Sequence, residues 1–174
     1  MRFLAVLTLA LALAACGRPT GSSKAPEAAP PPAPVACNDV AINPAAPARI
    51  VAAAAAAESL LGGPMAPGLY DLSSIEPRDG APAPAADMWE TIRVRDTEAG
   101  IVLEAAIVTG AAGNPPLRVN STLVEGPPTE LVRTCGPNLR RAVSYAASAN
   151  GFALLLPGEG DVGKVLYTFA RRAS

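Results

Sequence analysis

Glu90 and Glu104 stand in neighbouring apolar runs, "MWETIRVRD" (88–96) and "GIVLEAAIVTG" (100–110). Two facing carboxylates are what acid–base hydrolysis of a glycosidic bond requires. Charges on the surface or rim of a strand are much the commoner arrangement, so the pair is not assigned to catalysis. "GEGDVG" (158–163) offers Glu159 and Asp161 as calcium ligands. It lacks the ligand number and spacing of a calcium loop and reads better as a hairpin turn. Asn120-Ser121-Thr122 matches a glycosylation acceptor. Histidine is absent, which excludes histidine-dependent triads and histidine-based zinc sites. The three cysteines, Cys16, Cys37 and Cys135, form no CxxC pair, which argues against a thiol redox motif or a zinc knuckle. Tyr70, Trp89, Tyr145 and Tyr167 remain as side chains able to line a ligand cavity, with aromatic core packing as the alternative. No catalytic residue, metal ligand or cofactor is assigned, and the chain reads as non-enzymatic.

The elements that would position these residues are strands. From residue 66 onward, apolar alternation of period two recurs in "GLYDLSSIE" (68–76), "MWETIRVRD", "GIVLEAAIVTG", "LRVNSTLVE" (117–125), "TELVRTC" (129–135), "RAVSYAAS" (141–148), "FALLL" (152–156) and "KVLYTFARR" (164–172). In the second run Met88, Ile92 and Val94 alternate against Trp89, Thr91, Arg93 and Arg95. Short connections such as "TEAG" (97–100) and "GPP" (126–128) carry turn residues. Asn150-Gly151 signals a hairpin, as a type I′ turn needs positive φ at both positions. Successive short connections make neighbouring antiparallel strands, and an eight-stranded meander hides its edges best by closing. The expectation is a mainly β fold: a small antiparallel up-and-down barrel of about eight strands, with a two-sheet sandwich as the alternative. Such a barrel has room inside for side chains or one small ligand.

One helix is expected before the strands. "ARIVAAAAAAESLLGG" (48–63) is rich in alanine, the best helix former, with Pro47 at its start and Gly62, Gly63 and Pro64 to stop it. Upstream, "GRPTGSSKAPEAAPPPAPVA" (17–36) has no apolar periodicity and reads as an extended, proline-rich tether. The formal net charge is −1, so no basic field exists to draw nucleic acid. Aromatics are only 4% of the chain, so the core must be built from small and aliphatic side chains.

At the N-terminus, Arg2, the apolar run Phe3 to Leu13 and the small Ala14 and Ala15 lead to Cys16. The run is too short for a bilayer core, which needs roughly 20 residues. "LAAC" (13–16) resembles the bacterial lipoprotein signal, in which the cysteine is linked to diacylglycerol, becomes the first mature residue and is acylated, with palmitate, on its amine. The alternative is an ordinary secretory signal cleaved near Ala15. Glycine rather than aspartate at residue 17 implies, by that family's sorting habit, the outer membrane facing the periplasm, with the inner membrane or cell surface as alternatives. A glycosylation acceptor has little meaning there. With Cys16 lipidated, Cys37 and Cys135 are left in an oxidising compartment, and a disulfide between them is expected, with two buried free thiols as the alternative. The expected organisation is a signal peptide at 1–15, lipidated Cys16 and tether over 16–36, a disulfide-tied segment with the helix over 37–65, and the barrel over 66–174.

The runs "GLYDLSSIE", "WETIRVRD", "RTCGP", "VSYAASANGFALLLP" and "GKVLYTFARR" resemble the lipocalin-like domain of small bacterial lipoproteins over roughly residues 66–172. Tyr70, Leu72, Cys135, Pro137, Tyr145 and Phe169 occupy the matching places, and the resemblance implies a fold more than a function. The expected role is a membrane-anchored periplasmic binding or interaction module of the cell envelope, held by lipid on Cys16. Its partners would be a small apolar ligand or an envelope protein, not nucleic acid. The alternatives are a lipocalin-type carrier of a small apolar ligand, and an inhibitor or accessory subunit of an envelope enzyme.

Overall fold

Alternating apolar runs become strands because each can bury one face only by pairing with a neighbour. In the computed structural model, which describes residues 36–52, 60–98 and 100–173, ten strands form. They are β1 (Arg49–Ile50), β2 (Gly68–Arg78), β3 (Met88–Thr97), β4 (Gly100–Thr109), β5 (Leu117–Val124), β6 (Glu130–Cys135), β7 (Arg140–Ala142), β8 (Ser144–Ser148), β9 (Gly151–Pro157) and β10 (Lys164–Arg171). The signal peptide, Cys16 and nearly all of the tether lie outside the described residues.

The sheet runs β7-β6-β5-β4-β3-β2-β10-β9-β8, with β1 beside β2, and is nearly closed into a barrel of nine strands. All neighbours on this path are antiparallel, as the meander requires. The expected run "RAVSYAAS" supplies two strands, which is why nine replace eight. Its first part pairs with β6, Glu130 opposite Ala142, and its second with β9, Ser144 opposite Leu155. Between them Val143 is buried and donates its N–H to the Thr129 carbonyl at 2.9 Å. One stretch of chain thus joins the two ends of the sheet by changing partner at Val143.

The ends of the expected helix are extended, and its middle, 53–59, lies outside the described residues. Strands β2 and β3 pair only from Gly68 to Asp71 and then part. Into the split goes β1, parallel to β2 with Arg49 opposite Ser74. Ala48 N–H donates to the Met88 carbonyl at 2.8 Å and Val51 N–H to the Ile75 carbonyl at 3.0 Å, so this segment bridges both lips. At the far end, the Gly62 N–H donates to the Tyr145 carbonyl at 2.7 Å and the Gly62 carbonyl accepts from the Ala147 N–H at 3.1 Å. At these two ends the open strand edges set an extended backbone, since propensity is a weak prior beside tertiary pairing. Residues from Val35 onward form one compact unit, so the described residues before 66 belong with the barrel.

The hairpin near Asn150 forms, but with another turn. Ser148 pairs with Gly151, the loop residues are Ala149 and Asn150, and neither these nor Gly151 has positive φ. Gly151 is required for closeness: a Cβ there would sit 2.2 Å from the Phe169 carbonyl oxygen.

The core cluster includes Tyr70, Leu72, Ile75, Ile92, Val94, Phe152, Leu154 and Phe169. Opposite residues on the outer wall, Trp89, Thr91, Ala106 and Val108, are buried as well. Residues 38–44 run along this wall. The Asn38 amide donates to the Val119 carbonyl at 3.0 Å and Asn120 Nδ2 to the Cys37 carbonyl at 2.9 Å. Asn43 Nδ2 donates to Asp71 at 2.8 Å, and Trp89 Nε1 to the Pro44 carbonyl at 3.2 Å. Asp71 also accepts from Thr91 at 2.8 Å and from Arg172. Burial alone would raise its carboxyl, but the hydrogen bonds from Arg172, Asn43 and Thr91 hold it below the usual carboxylate range.

The expected disulfide joins Cys37 to Cys135, 98 residues apart. The register shifts between β5 and β6 place Asn120 opposite Cys135 and Ser121 opposite Arg133, so Thr134 is the extra residue of a bulge. The bulge reverses the alternation: Arg133 faces inward and Cys135 outward, toward Cys37 on the wall. Reducing the disulfide is expected to cost up to about 4.7 kcal/mol by the chain-entropy model. Urea unfolding with and without reductant measures this. An unchanged midpoint would mean that the hydrogen bonds of Asn38 and Asn43 hold the wall segment without it.

Candidate functional site

Across the barrel, inner side chains fill one end and leave the other open. At the filled end the Tyr70 ring meets Phe152 edge-on at 5.0 Å, and Phe152 stacks on Phe169 at 4.7 Å. Tyr70 Oη donates to the Ala66 carbonyl at 2.6 Å, which fixes the ring. Aliphatic side chains, leucine foremost, make up most of the opposite half. A cavity of about 190 Å³ lies among them. Its floor is the buried Ile92, Leu103, Val119, Leu131, Leu154 and Phe169. Its rim, including Met88, Leu139, Leu156 and Tyr167, is half-buried.

Four polar side chains enter this apolar cup: Glu90 from β3, Ser121 from β5, Arg133 from β6 and Tyr167 from β10. Among the described residues neither Glu90 nor Arg133 belongs to a salt bridge. Arg133 Nε is fully buried and has no hydrogen-bond partner in the protein, the one such side-chain atom among the described residues. Buried donors without partners are rare and costly, which sets this one apart from the satisfied network around Asp71. Burial pushes the Glu90 carboxyl up from 4.5 to about 7, against the opposing pull of Arg133. Burial lowers the Arg133 guanidinium, Glu90 draws it back up, and Arg141 lowers it further. Burial, and then the Glu90 charge, raise the Tyr167 phenol.

The four aromatics expected to line a cavity do not come together. Tyr167 lines it. Tyr70 belongs to the aromatic plug, Trp89 is on the outer wall bonded to Pro44, and Tyr145 is half-buried beside the core with its carbonyl bonded to Gly62. Glu90 and Glu104 lie on opposite faces of the wall: Glu90 pairs with Ile107 inside, whereas Glu104 pairs with Arg93 and accepts from Arg93 and Arg95 outside, both at 3.1 Å. They cannot flank one bond. Glu159 and Asp161 sit in a short 3-10 turn, and no cluster of three or more metal-ligating residues occurs among the described residues.

Sequence reading as a rim charge misplaced Glu90 and passed over Arg133 and Ser121. The signal was parity: Glu90 shares its face with Met88, Ile92 and Val94, Ser121 with Val119 and Leu123, and Arg133 with Leu131. No protein-family model, no curated protein and no solved structure matches the chain.

A carboxyl whose folded value lies above its unfolded one costs stability as pH rises through that interval. In the unfolded chain Glu90 ionises near 4.5, in the barrel near 7, so the native state loses stability between these values and the cost is complete above about 7. Glu90→Gln is expected to stabilise the fold by on the order of 2 kcal/mol near pH 8 and to change little near pH 4. Urea unfolding at both pH values checks this; an equal gain at both would mean that Glu90 does not titrate in this window.

Proposed function

We propose that this chain is an envelope-anchored, non-enzymatic binding module whose barrel carries a small, mostly apolar ligand. The observation that carries this reading is the cavity of about 190 Å³, apolar at its floor and holding a few convergent polar groups. Ligand sites have this composition. The volume is near that of an apolar cavity of about 150 Å³ that takes benzene, and below that of sites for drug-sized molecules, so the ligand is of single-ring or short-chain size. The resemblance to lipocalin-like domains agrees with a carrier, since one end is plugged and the other open.

Attachment through Cys16 to the outer membrane, on the periplasmic side, is the proposed address. It takes support from the "LAAC" pattern and from the pairing of the other two cysteines, as expected of an oxidising compartment. Residues 17–36 then space the cup from the lipid. The described part of the segment beyond the tether is bound along the barrel wall, which favours a carrier over an inhibitor that inserts this segment into a partner.

Titration with benzyl alcohol, an uncharged ligand of the right size, is expected to shift the NMR resonances of Leu154, Ala105 and Phe169, and Ala105→Leu, which fills the cavity, is expected to weaken binding at least tenfold. Shifts confined to the outer wall, or none, would overturn the carrier reading. Cys16→Ser is expected to move the protein from the membrane to the soluble fraction; retention in the membrane would overturn the anchor.

A further inference from the structure

Donors outnumber acceptors in the cup. Arg133 brings a buried Nε–H with no partner in the protein, and Tyr167 and Ser121 bring hydroxyls. Arg141 of β7 pairs with Leu131, whose side chain lines the floor, so register puts Arg141 on the same face near the mouth. It is close enough to act on both Arg133 and Tyr167. The one acidic group in the lining is Glu90. Strands β4, β5 and β9 add only apolar side chains and Ser121, so the titratable groups facing Glu90 are Arg133 and Tyr167. With Glu90 ionised the lining and mouth carry a single excess positive charge, and with Glu90 neutral, two. A cation entering would meet two guanidiniums; an anion would meet the Arg133 guanidinium, which lines the cavity.

We propose that the cavity recognises the carboxylate of a small monocarboxylic acid, its head group held between Arg133 and Glu90 and its apolar part on the floor formed by Phe169, Leu154 and Leu103. The proposal rests on the carrier reading above and names its ligand class. A guanidinium N–H and a carboxylate make one of the stronger hydrogen bonds available to proteins. Glu90 in its neutral form donates a hydrogen bond to the second carboxylate oxygen; ionised, it repels the ligand. Burial sets that transition near 7. Binding therefore takes up a proton above this pH, and affinity falls as pH rises from about 6 to about 8, by about tenfold if only the neutral form binds.

The test compares benzoate, benzyl alcohol and benzylamine by calorimetric titration of the full chain at pH 6 and pH 8. Benzoate is expected to bind at least tenfold tighter than benzyl alcohol at pH 6 and to lose about tenfold by pH 8, while benzyl alcohol changes less than twofold. Arg133→Met is expected to remove the benzoate preference. Glu90→Gln, which keeps a donor without the charge, is expected to retain benzoate binding and abolish its pH dependence. That second variant keeps the proposal testable should Arg133→Met fail to fold. Benzylamine binding tighter than benzoate, benzoate no better than benzyl alcohol, or a pH dependence that survives Glu90→Gln would each overturn the anion assignment while leaving a small-ligand carrier standing. Failure of all three probes would overturn the carrier reading itself.

Discussion

An open antiparallel sheet ends in rows of unpaired amides and carbonyls, and closing those rows is the constraint on which the rest of this structure depends. Neither lateral closure is made by two full-length strands in register. At one seam a single stretch changes partner at Val143, pairing with β6 before it and with β9 after it. At the other, β2 and β3 part after Asp71 and a piece of chain from before the barrel, Ala48 to Val51, bridges them. Gly62 covers the outer row of β8 in the same manner. Mostly aliphatic side chains face inward around the cavity, while the other end of the barrel is filled by Tyr70, Phe152 and Phe169.

The wall segment depends on the same closure. It carries Cys37 to Cys135, spreads Asn38 over the pairing of β4 with β5, and ends in the seam as β1. Asp71, at the last residue where β2 and β3 pair, gathers Asn43, Thr91 and Arg172, so the wall segment, two barrel strands and the end of β10 meet on one carboxylate. Each partner here is satisfied, and the lowered Asp71 carboxyl follows from it.

Period-two alternation made the strands legible in the sequence: seven of the expected runs coincide with observed strands to within two residues at either end, because turn residues bounded them. The "RAVSYAAS" run was legible as a strand but not as a switch, since nothing local marks Val143 as the place where a partner changes. Cys37 and Cys135 were legible by counting. The described ends of the alanine-rich stretch are extended where a local helix propensity was read, because their pairing along Ile75 and Met88 is set by strands far away in the chain; its middle, 53–59, lies outside the described residues. At the hairpin, Gly151 was read for its φ, whereas its role is the close approach of the Phe169 carbonyl. The site was half legible. Parity put Glu90 among Met88, Ile92 and Val94, but whether an inward carboxyl meets packed side chains or a cavity depends on which side chains from distant strands face it across the barrel. Arg133 faces inward within a strand that bulges immediately afterward, a geometry that residue types alone do not announce.

Polar groups inside and outside the barrel obey different rules, and the contrast bears on function. Outside, Glu104 is met by Arg93 and Arg95, and Arg93 by Asp39 as well. Inside, a guanidinium nitrogen is buried without a partner and a carboxyl is held away from its ordinary ionisation. Both conditions cost stability, and apolar side chains of similar size in their places would relieve it. A fold that meets its outer charges in this way has no structural need for an unpartnered guanidinium nitrogen and a shifted carboxyl within. Departures of this kind concentrate where a sequence serves binding rather than folding. On the carrier reading proposed above, the polar pair at the open end of the apolar cup is half of a set of hydrogen bonds whose other half a ligand would supply.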